Sequence, residues 1–299
     1  MTKIINSIYK FLTYRGVISP KVIVLMDGGI CSQMNQYILG QIYAKKGYKV
    51  FYDLTFYEKW GSDLNWQFVR HFDLLRAFPY LELKVASKTA VKVYKRKFGY
   101  VGNNTHARVD DFSFLERTSP IYLGGYYHLP SKCWLEMYRE LFKVNIEVLD
   151  MSNTHLYQDI IARKDTIAVH VRRGDLKVEV YAYGKPASLN YFQSSVSYFL
   201  RQLSTPYFYF FSDEPLWVAQ ELIPFLELSD NYKVVDLNGS DKGYMDLFLI
   251  AACEHQITSK GTLGKYGALL MHNVEKQVVL CDDTTEYPWR TLLHNPVFL

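Results

Sequence analysis

Cysteine is scarce in this 299-residue chain: there are four, at positions 31, 133, 253 and 281, and no two lie close together. Without a Cys-x-x-Cys pair, the zinc-ribbon and thioredoxin-like patterns are excluded, and the density is too low for a disulfide framework. A reducing, cytoplasmic setting is the expectation. Long apolar runs are also missing, and no stretch approaches the roughly 18–20 residues needed to span a bilayer. The first sixteen residues carry Ile4, Ile5, Ile8, Phe11 and Leu12, interrupted by Lys3, Asn6, Lys10 and Arg15. That core is too broken for a signal peptide; the expectation is a short basic amphipathic helix resting on a membrane or on the protein itself. Charge of one sign is lacking too. The net charge is +4, too mild to argue for nucleic acid. No internal repeat or low-complexity tract interrupts the chain.

What is present is an ordinary globular composition, 49% hydrophobic and 21% charged, with 25 Tyr and 18 Phe. Core packing accounts for such an aromatic excess, although sugar-facing surfaces would use it too. Val22 to Met26 reads as a buried strand, Asp27-Gly28-Gly29 as a turn, Ser32 to Lys46 as a helix ended by Gly47, and Tyr48 to Asp53 as the next strand. Residues 65–77 read as helical and Ile121 to Leu123 as a strand. Asp150, Ser152, Asn153 and Thr154 mark a boundary, which divides the chain into domains 1–150 and 151–299. In the second half, strands near 166–171, 207–211, 232–236, 256–259 and 277–281 alternate with helices near 190–203, 215–226, 244–253 and 263–273. That alternation predicts an α/β fold with a doubly wound parallel sheet.

His170-Val171-Arg172-Arg173-Gly174-Asp175 directly follows the buried strand, where ligands of open parallel sheets bind. Guanidinium groups keep their charge and match phosphate oxygens bidentately, so Arg172 and Arg173 stand where a diphosphate would sit; a surface salt bridge is the plain alternative. Gln256 to Gly267 follows a strand and opens a helix. There Gly261 and Gly264 allow close backbone approach, Thr262 adds a hydroxyl, and the helix N-terminus favours an anion; an ordinary structural turn explains the glycines equally well. In Phe211-Ser212-Asp213-Glu214-Pro215, capping by Ser212 or Asp213 is enough to explain the pattern, with ligand contact by Asp213 the alternative. The Asp246 carboxylate could accept two hydrogen bonds from a guanine edge or simply be solvated. Lys84, Lys88, Lys92, Lys95, Arg96 and Lys97 form a basic stripe, the first three spaced for one helix face; it is a solvated face or a dock for an anionic membrane or a pyrophosphate-linked acceptor. No Asp-x-Asp occurs and the histidines lack ligand spacing, so no metal is expected.

In this order the motifs resemble those of the bacterial α1,2-fucosyltransferases of glycosyltransferase family 11. His170 to Asp175 matches His-x-Arg-Arg-Gly-Asp, Phe211 to Glu214 is similar to Phe-Ser-Asp-Asp, Asp246 to Cys253 to Asp-Leu-x-Leu-Met-Ser-x-Cys, and Tyr122 to Tyr126 to Tyr-Leu-x-Gly-Tyr. Gly28 to Tyr37 is similar to Gly-Gly-Leu-Gly-Asn-Gln-Met-Phe-Gln-Tyr, with Ser32 in place of the Asn. Ser259 to Ala268 departs further, with Lys265 and Tyr266 where the family has two tryptophans. The resemblance implies two facing Rossmann-like domains of GT-B type, the second binding GDP-β-L-fucose. It implies transfer with inversion and without a metal to the 2-hydroxyl of a galactose in a surface glycan, which family members often carry on a lipid at the cytoplasmic membrane face. It assigns Arg172 and Arg173 to the leaving diphosphate, His170 and Asp175 to positioning, Gly261, Thr262, Asp213, Gly28 and Gly29 to the donor, and Asp246 to guanine. Asp27, Asp53, Asp175 and Glu179 stay open as the general base, as does a dissociative transition state needing no strong base.

Overall fold

The computed structural model describes residues 4, 7–8, 11–12, 15, 17–59, 61–63, 68–100, 120–124, 132–178 and 184–299. The chain divides into two compact units, Met1–Leu75 with Pro79–Met137, and Arg76–Phe78 with Tyr138–Leu299. The division falls inside the helix Lys132–Leu141, where the sequence reading set it at 150. Contacts explain the shift: the Tyr138 hydroxyl donates to the Tyr266 carbonyl at 2.7 Å, and Phe78 packs on Phe142 and Phe248. Among the described residues no helix is long and apolar enough to cross a membrane. Most of the expected N-terminal amphipathic helix lies outside the described residues; of those described there, Ile4, Ile8 and Phe11 are exposed.

The first unit is built on strands β1 (Lys21–Leu25) and β2 (Lys49–Asp53), a small antiparallel pair β3 (Ser62–Asp63) and β4 (Phe68–Val69), then β5 (Gly99–Tyr100) and β6 (Ile121–Leu123). Its main sheet is wholly parallel, in the order β2-β1-β6-β5. The helix Ile30–Lys45 starts after Gly29 and ends before Gly47, whose φ of +83° suits a residue without Cβ. The helix expected over 65–77 is reduced to one turn, Leu74–Ala77, while residues 64–67 lie outside the described set. The buried Gln33 side chain accepts the Asp73 and Leu74 backbone N–H groups and donates to the His71 carbonyl, which holds 71–73 as an approach to that turn. Lys84 does not share the helix of the other lysines. That helix is Lys88–Phe98, N-capped by Ser87, whereas the segment with Lys84 runs beside β2, its carbonyl accepting from Tyr52.

The second unit carries β7 (Thr166–Val171), β8 (Tyr207–Ser212), β9 (Tyr232–Val235), β10 (His255–Thr258), β11 (Gln277–Leu280) and β12 (Asn295–Phe298) in one parallel sheet, ordered β12-β11-β10-β7-β8-β9. Counted from β7, this is the Rossmann order 3-2-1-4-5-6. The expected α/β class with parallel sheets is therefore present, two Rossmann-like units as in GT-B-like chains; β12 was not anticipated. Every residue of β7 is buried, the signature of a strand covered on both faces. Ile167, Val169 and Val171 pack with Phe192, Val196 and Phe199 of the helix Leu189–Gln202. Ala168 packs on the other face with Leu249 and Ile250 of the helix Gly243–Ala252. Aromatic residues contribute to this core: Phe208, Tyr209, Phe210 and Phe211 of β8 alternate between the same two faces.

Phe210, fully buried on β8, is predicted to be structurally decisive. Phe210→Ala should lower unfolding stability by about 3–5 kcal/mol, read as a fall in the urea midpoint with an unchanged slope.

Candidate functional site

The switch point of the second sheet lies between β7 and β10, where the chain leaves toward opposite edges. Ser259, just past β10, zips the two strand ends together: its N–H donates to the His170 carbonyl at 3.1 Å, and its hydroxyl accepts from the Arg172 N–H at 2.9 Å. Two residues on, Gly261 has a φ of +91°. A Cβ built there would stand 2.7 Å from Cδ of Arg172 and 3.4 Å from its Nε and Nη1. The position thus requires glycine twice over, for its backbone angle and for the arginine laid across it. None of the backbone N–H groups of Lys260 to Gly264 has a hydrogen-bond partner among the described residues. Thr262 stands as N-cap of the helix Leu263–Leu270 and makes no side-chain cap bond. Unpaired amides at a helix start beside a guanidinium make an anion-binding concavity.

Asp175 grips Arg172 bidentately, with its Oδ1 accepting from Nε at 2.8 Å and its Oδ2 from Nη2. The carboxylate is almost fully buried, so it serves to aim the arginine. Arg173 turns to the other side of β7. Its guanidinium lies 3.4 Å over the Trp217 ring and donates to Glu214 at 3.1 Å, and Lys177 also pairs with Glu214. The two arginines therefore diverge, and Arg172 is the one against the glycine turn. Asp213 is committed to the motif's own backbone, accepting N–H groups from Arg173 at 3.0 Å and Gly174 at 2.9 Å. It does not cap the following helix, as expected, and neither does Ser212; Glu214 occupies the cap position without a side-chain bond, and its N–H donates to the Ser212 hydroxyl.

His170 is buried on the last part of β7, and its Nδ1 has no hydrogen-bond partner among the described residues. Burial, reinforced by the charges of Arg172 and Lys265, pushes its pKa down to about 3. The imidazole is thus neutral and backs the site without adding charge. Asp246 lies partly buried in the first turn of the helix Gly243–Ala252. Its Oδ1 accepts from Asn238 at 2.7 Å, and Asn238 is bonded in turn to Asn153. Desolvation pushes the Asp246 carboxyl up to about 7, against the Asn238 hydrogen bond.

In the first unit, Gly28 has a φ of +68°, and its carbonyl accepts from Gln33 at 3.1 Å and from the Tyr57 hydroxyl at 2.8 Å. Gly29 is the N-cap of the long helix, and a Cβ there would meet nothing within 4 Å. Asp27 is bracketed by the Gln36 amide, which pairs with both its backbone and its carboxylate. Asp53 is excluded as a base. It is fully buried, with its oxygens taken by the Tyr122 hydroxyl at 2.7 Å, the Thr55 N–H at 2.9 Å and Lys95 at 3.2 Å. Burial works to raise its pKa, but those hydrogen bonds and the lysine hold it below the usual carboxylate value. Glu179 lies outside the described residues.

A model of glycosyl transferase family 11 matches residues 101–287, more than half of the chain. The chain belongs to that family. An O-antigen biosynthesis glycosyltransferase, WbnK, of Escherichia coli is 26% identical over 148 residues, 48% of this chain and 48% of that protein. An alpha-1,2-colitosyltransferase, also of Escherichia coli, is 24% identical over 140 residues, 45% of each. The chain thus matches about half the length of these curated relatives. Among solved structures, a fucosyltransferase NodZ from Bradyrhizobium is similar at 14% identity and a TM-score of 0.48, covering 85% of this chain and 93% of that one.

Sequence reasoning missed Ser259, Glu214, Trp217, Lys265 and Glu286. Ser259 and Lys265 sit inside the glycine-rich stretch already singled out, and Glu214 and Trp217 lie at or just past the end of the Phe-Ser-Asp motif. Glu286 carries no local signal.

The raised pKa of Asp246 makes a pH prediction. Below about pH 4 the carboxyl is protonated whether folded or unfolded. Between about 4 and 7 the unfolded chain loses the proton and the folded one retains it, so stability falls as pH rises through that window. Asp246→Asn, which keeps the acceptor for Asn238, should flatten the decline. Thermal midpoints across that range check this; parallel curves for the two proteins would refute the buried-carboxyl cost.

Proposed function

We propose that this chain is a metal-independent, inverting fucosyltransferase. It moves L-fucose from GDP-β-L-fucose to the 2-hydroxyl of a galactose in a surface glycan of the O-antigen or capsule kind. The observation that carries the reading is Arg172 laid across Gly261 at the switch point, beside a run of unpaired amides at a helix start. In an inverting transfer an acceptor oxygen attacks the anomeric carbon in line. The bond from that carbon to the β-phosphate oxygen breaks, its electron pair leaves with GDP, and the hydroxyl proton passes to water. Negative charge therefore grows on the diphosphate, and fixed positive groups aimed at it lower the barrier. Arg172 and the amides of the glycine turn, with Thr262, take that task; Asp175 holds Arg172, and Arg173 adds positive potential from the other side of β7. This cationic set provides the charge compensation that a divalent ion would otherwise supply. Asp246, ionised above pH 7, offers two acceptors for the N1–H and 2-amino group of guanine. The first unit takes the acceptor side.

Family membership and the O-antigen role in the name of the WbnK relative support a glycan acceptor. Peripheral attachment at the inner face of the cytoplasmic membrane belongs to the same proposal. On the helix Lys88–Phe98, Lys88 and Lys95 are paired with Glu58 and Asp53; Lys92, Arg96 and Lys97 of the same helix, which holds no acid, support it. A second reading, the same chemistry with another nucleotide sugar, is favoured by the relative named as a colitosyltransferase.

The deciding experiment is GDP release from GDP-fucose in EDTA, with and without lactose. Stimulation by lactose is the expected result; release only from a different nucleotide sugar would move the conclusion to the second reading. Arg172→Ala should leave the circular dichroism spectrum unchanged and cut kcat by about 10²–10³-fold, the range for losing one preorganised charge donor. Near-normal turnover in that variant would remove Arg172 from the mechanism.

A further inference from the structure

Lys265 is the most deeply buried lysine in the neighbourhood of the site, with a side chain only 2% exposed. Its Nζ donates to the Gly261 carbonyl at 2.6 Å and to the Ser259 carbonyl at 3.4 Å. It also pairs with Glu286, itself buried, at 2.6 Å, and lies 5.8 Å from the Trp289 ring. Burying two charges costs more than an apolar pair of the same size would, so stability alone does not account for this arrangement. The geometry of the peptide does. Within a planar trans peptide the C=O and the following N–H point in opposite directions. Drawing the Ser259 carbonyl inward turns the Lys260 N–H outward, and drawing the Gly261 carbonyl inward turns the Thr262 N–H outward. Those two amides belong to the run that has no partner among the described residues. The same turn carries the Gly261 backbone against which Arg172 rests.

We propose that Lys265, held by Glu286, is the positioning residue of the phosphate-binding turn: it clamps the Ser259 and Gly261 carbonyls from beneath so that the turn presents its N–H groups to the diphosphate of the donor. This rests on the reading that the site takes a nucleoside diphosphate. Lys265 is not itself a catalytic residue, because it acts through the backbone it holds. The clamp also gives a role to a lysine that stands inside the glycine-rich segment without being part of any phosphate-loop pattern.

The test separates the phosphates from the base. GDP and guanosine are titrated by calorimetry into the full-length wild type and into Lys265→Met/Glu286→Gln, which removes both charges together and so leaves no orphaned ion in the interior. The wild type should bind GDP more tightly than guanosine. The double variant should bind guanosine as the wild type does but lose about tenfold or more of the preference for GDP, the size of one charge-assisted contact. A merely structural role would weaken both ligands alike. A double variant with the wild-type ratio overturns the clamp and leaves the functional reading standing. A wild type with no preference for GDP overturns the diphosphate reading and the clamp with it. Should the double variant fail to fold, Lys265→Gln/Glu286→Gln, whose amide at 265 can still reach one carbonyl, replaces it. A partial loss of the GDP preference is then expected, and an unchanged ratio is the refuting result.

Discussion

The junction between β7 and β10 is the constraint on which the site depends. Ser259 bonds to both the His170 carbonyl and the Arg172 amide, continuing the pairing of the two strands past their ends. Because β7 is the first strand of the sheet and β10 the fourth, the chain departs from them toward opposite edges, and a crevice must open between the departing loops. Arg172 and Gly261 are the residues that emerge on its two walls. Their contact is close enough to exclude any side chain at 261. The arginine and the turn therefore form one preorganised surface, and moving either strand end would displace both.

Around that junction, carboxylates serve cations and amides of the protein itself. Asp175 aims Arg172, Glu214 aims Arg173 and Lys177, Glu286 holds Lys265, and Asp213 ties down two backbone amides of the arginine motif. A guanidinium gripped on one edge loses little rotamer freedom when a ligand arrives, which keeps its charge where it is needed. The exception is Asp246. Its side chain is held by the amide of Asn238, and its raised pKa marks a carboxylate held without a counter-charge.

Much of this arrangement is legible in the chain's own residue order. The strand–helix alternation from 166 onward predicts the parallel sheet, because a strand buried on both faces has to be nearly all apolar and β7 and β8 are. The arginine motif and the glycine-rich turn can each be placed at a strand's carboxyl end. Other readings depend on contacts distant in sequence. Residues 71–73 look helical by composition, but Gln33, about forty residues away, takes the hydrogen bonds of His71 and Asp73. Lys84 has the spacing of a helix face, yet its segment is captured by Tyr52. Asp53 has the residue type of a base, and only the fold reveals that Tyr122 and Lys95 bury it.

The sequence by itself determined the class of the fold, the strand ends at which the chemistry gathers, and the family, because these follow from local periodicity and from short motifs whose spacing survives divergence. The tertiary structure decided which of the two arginines meets the glycine turn, which acids are held as struts, and that a lysine is buried beneath the turn with a glutamate twenty-one residues further along the chain. Those outcomes depend on the order in which strands lie side by side. Hydrogen bonding and burial act between neighbours in space, and in a doubly wound sheet the neighbours of β7 come from distant points in the chain.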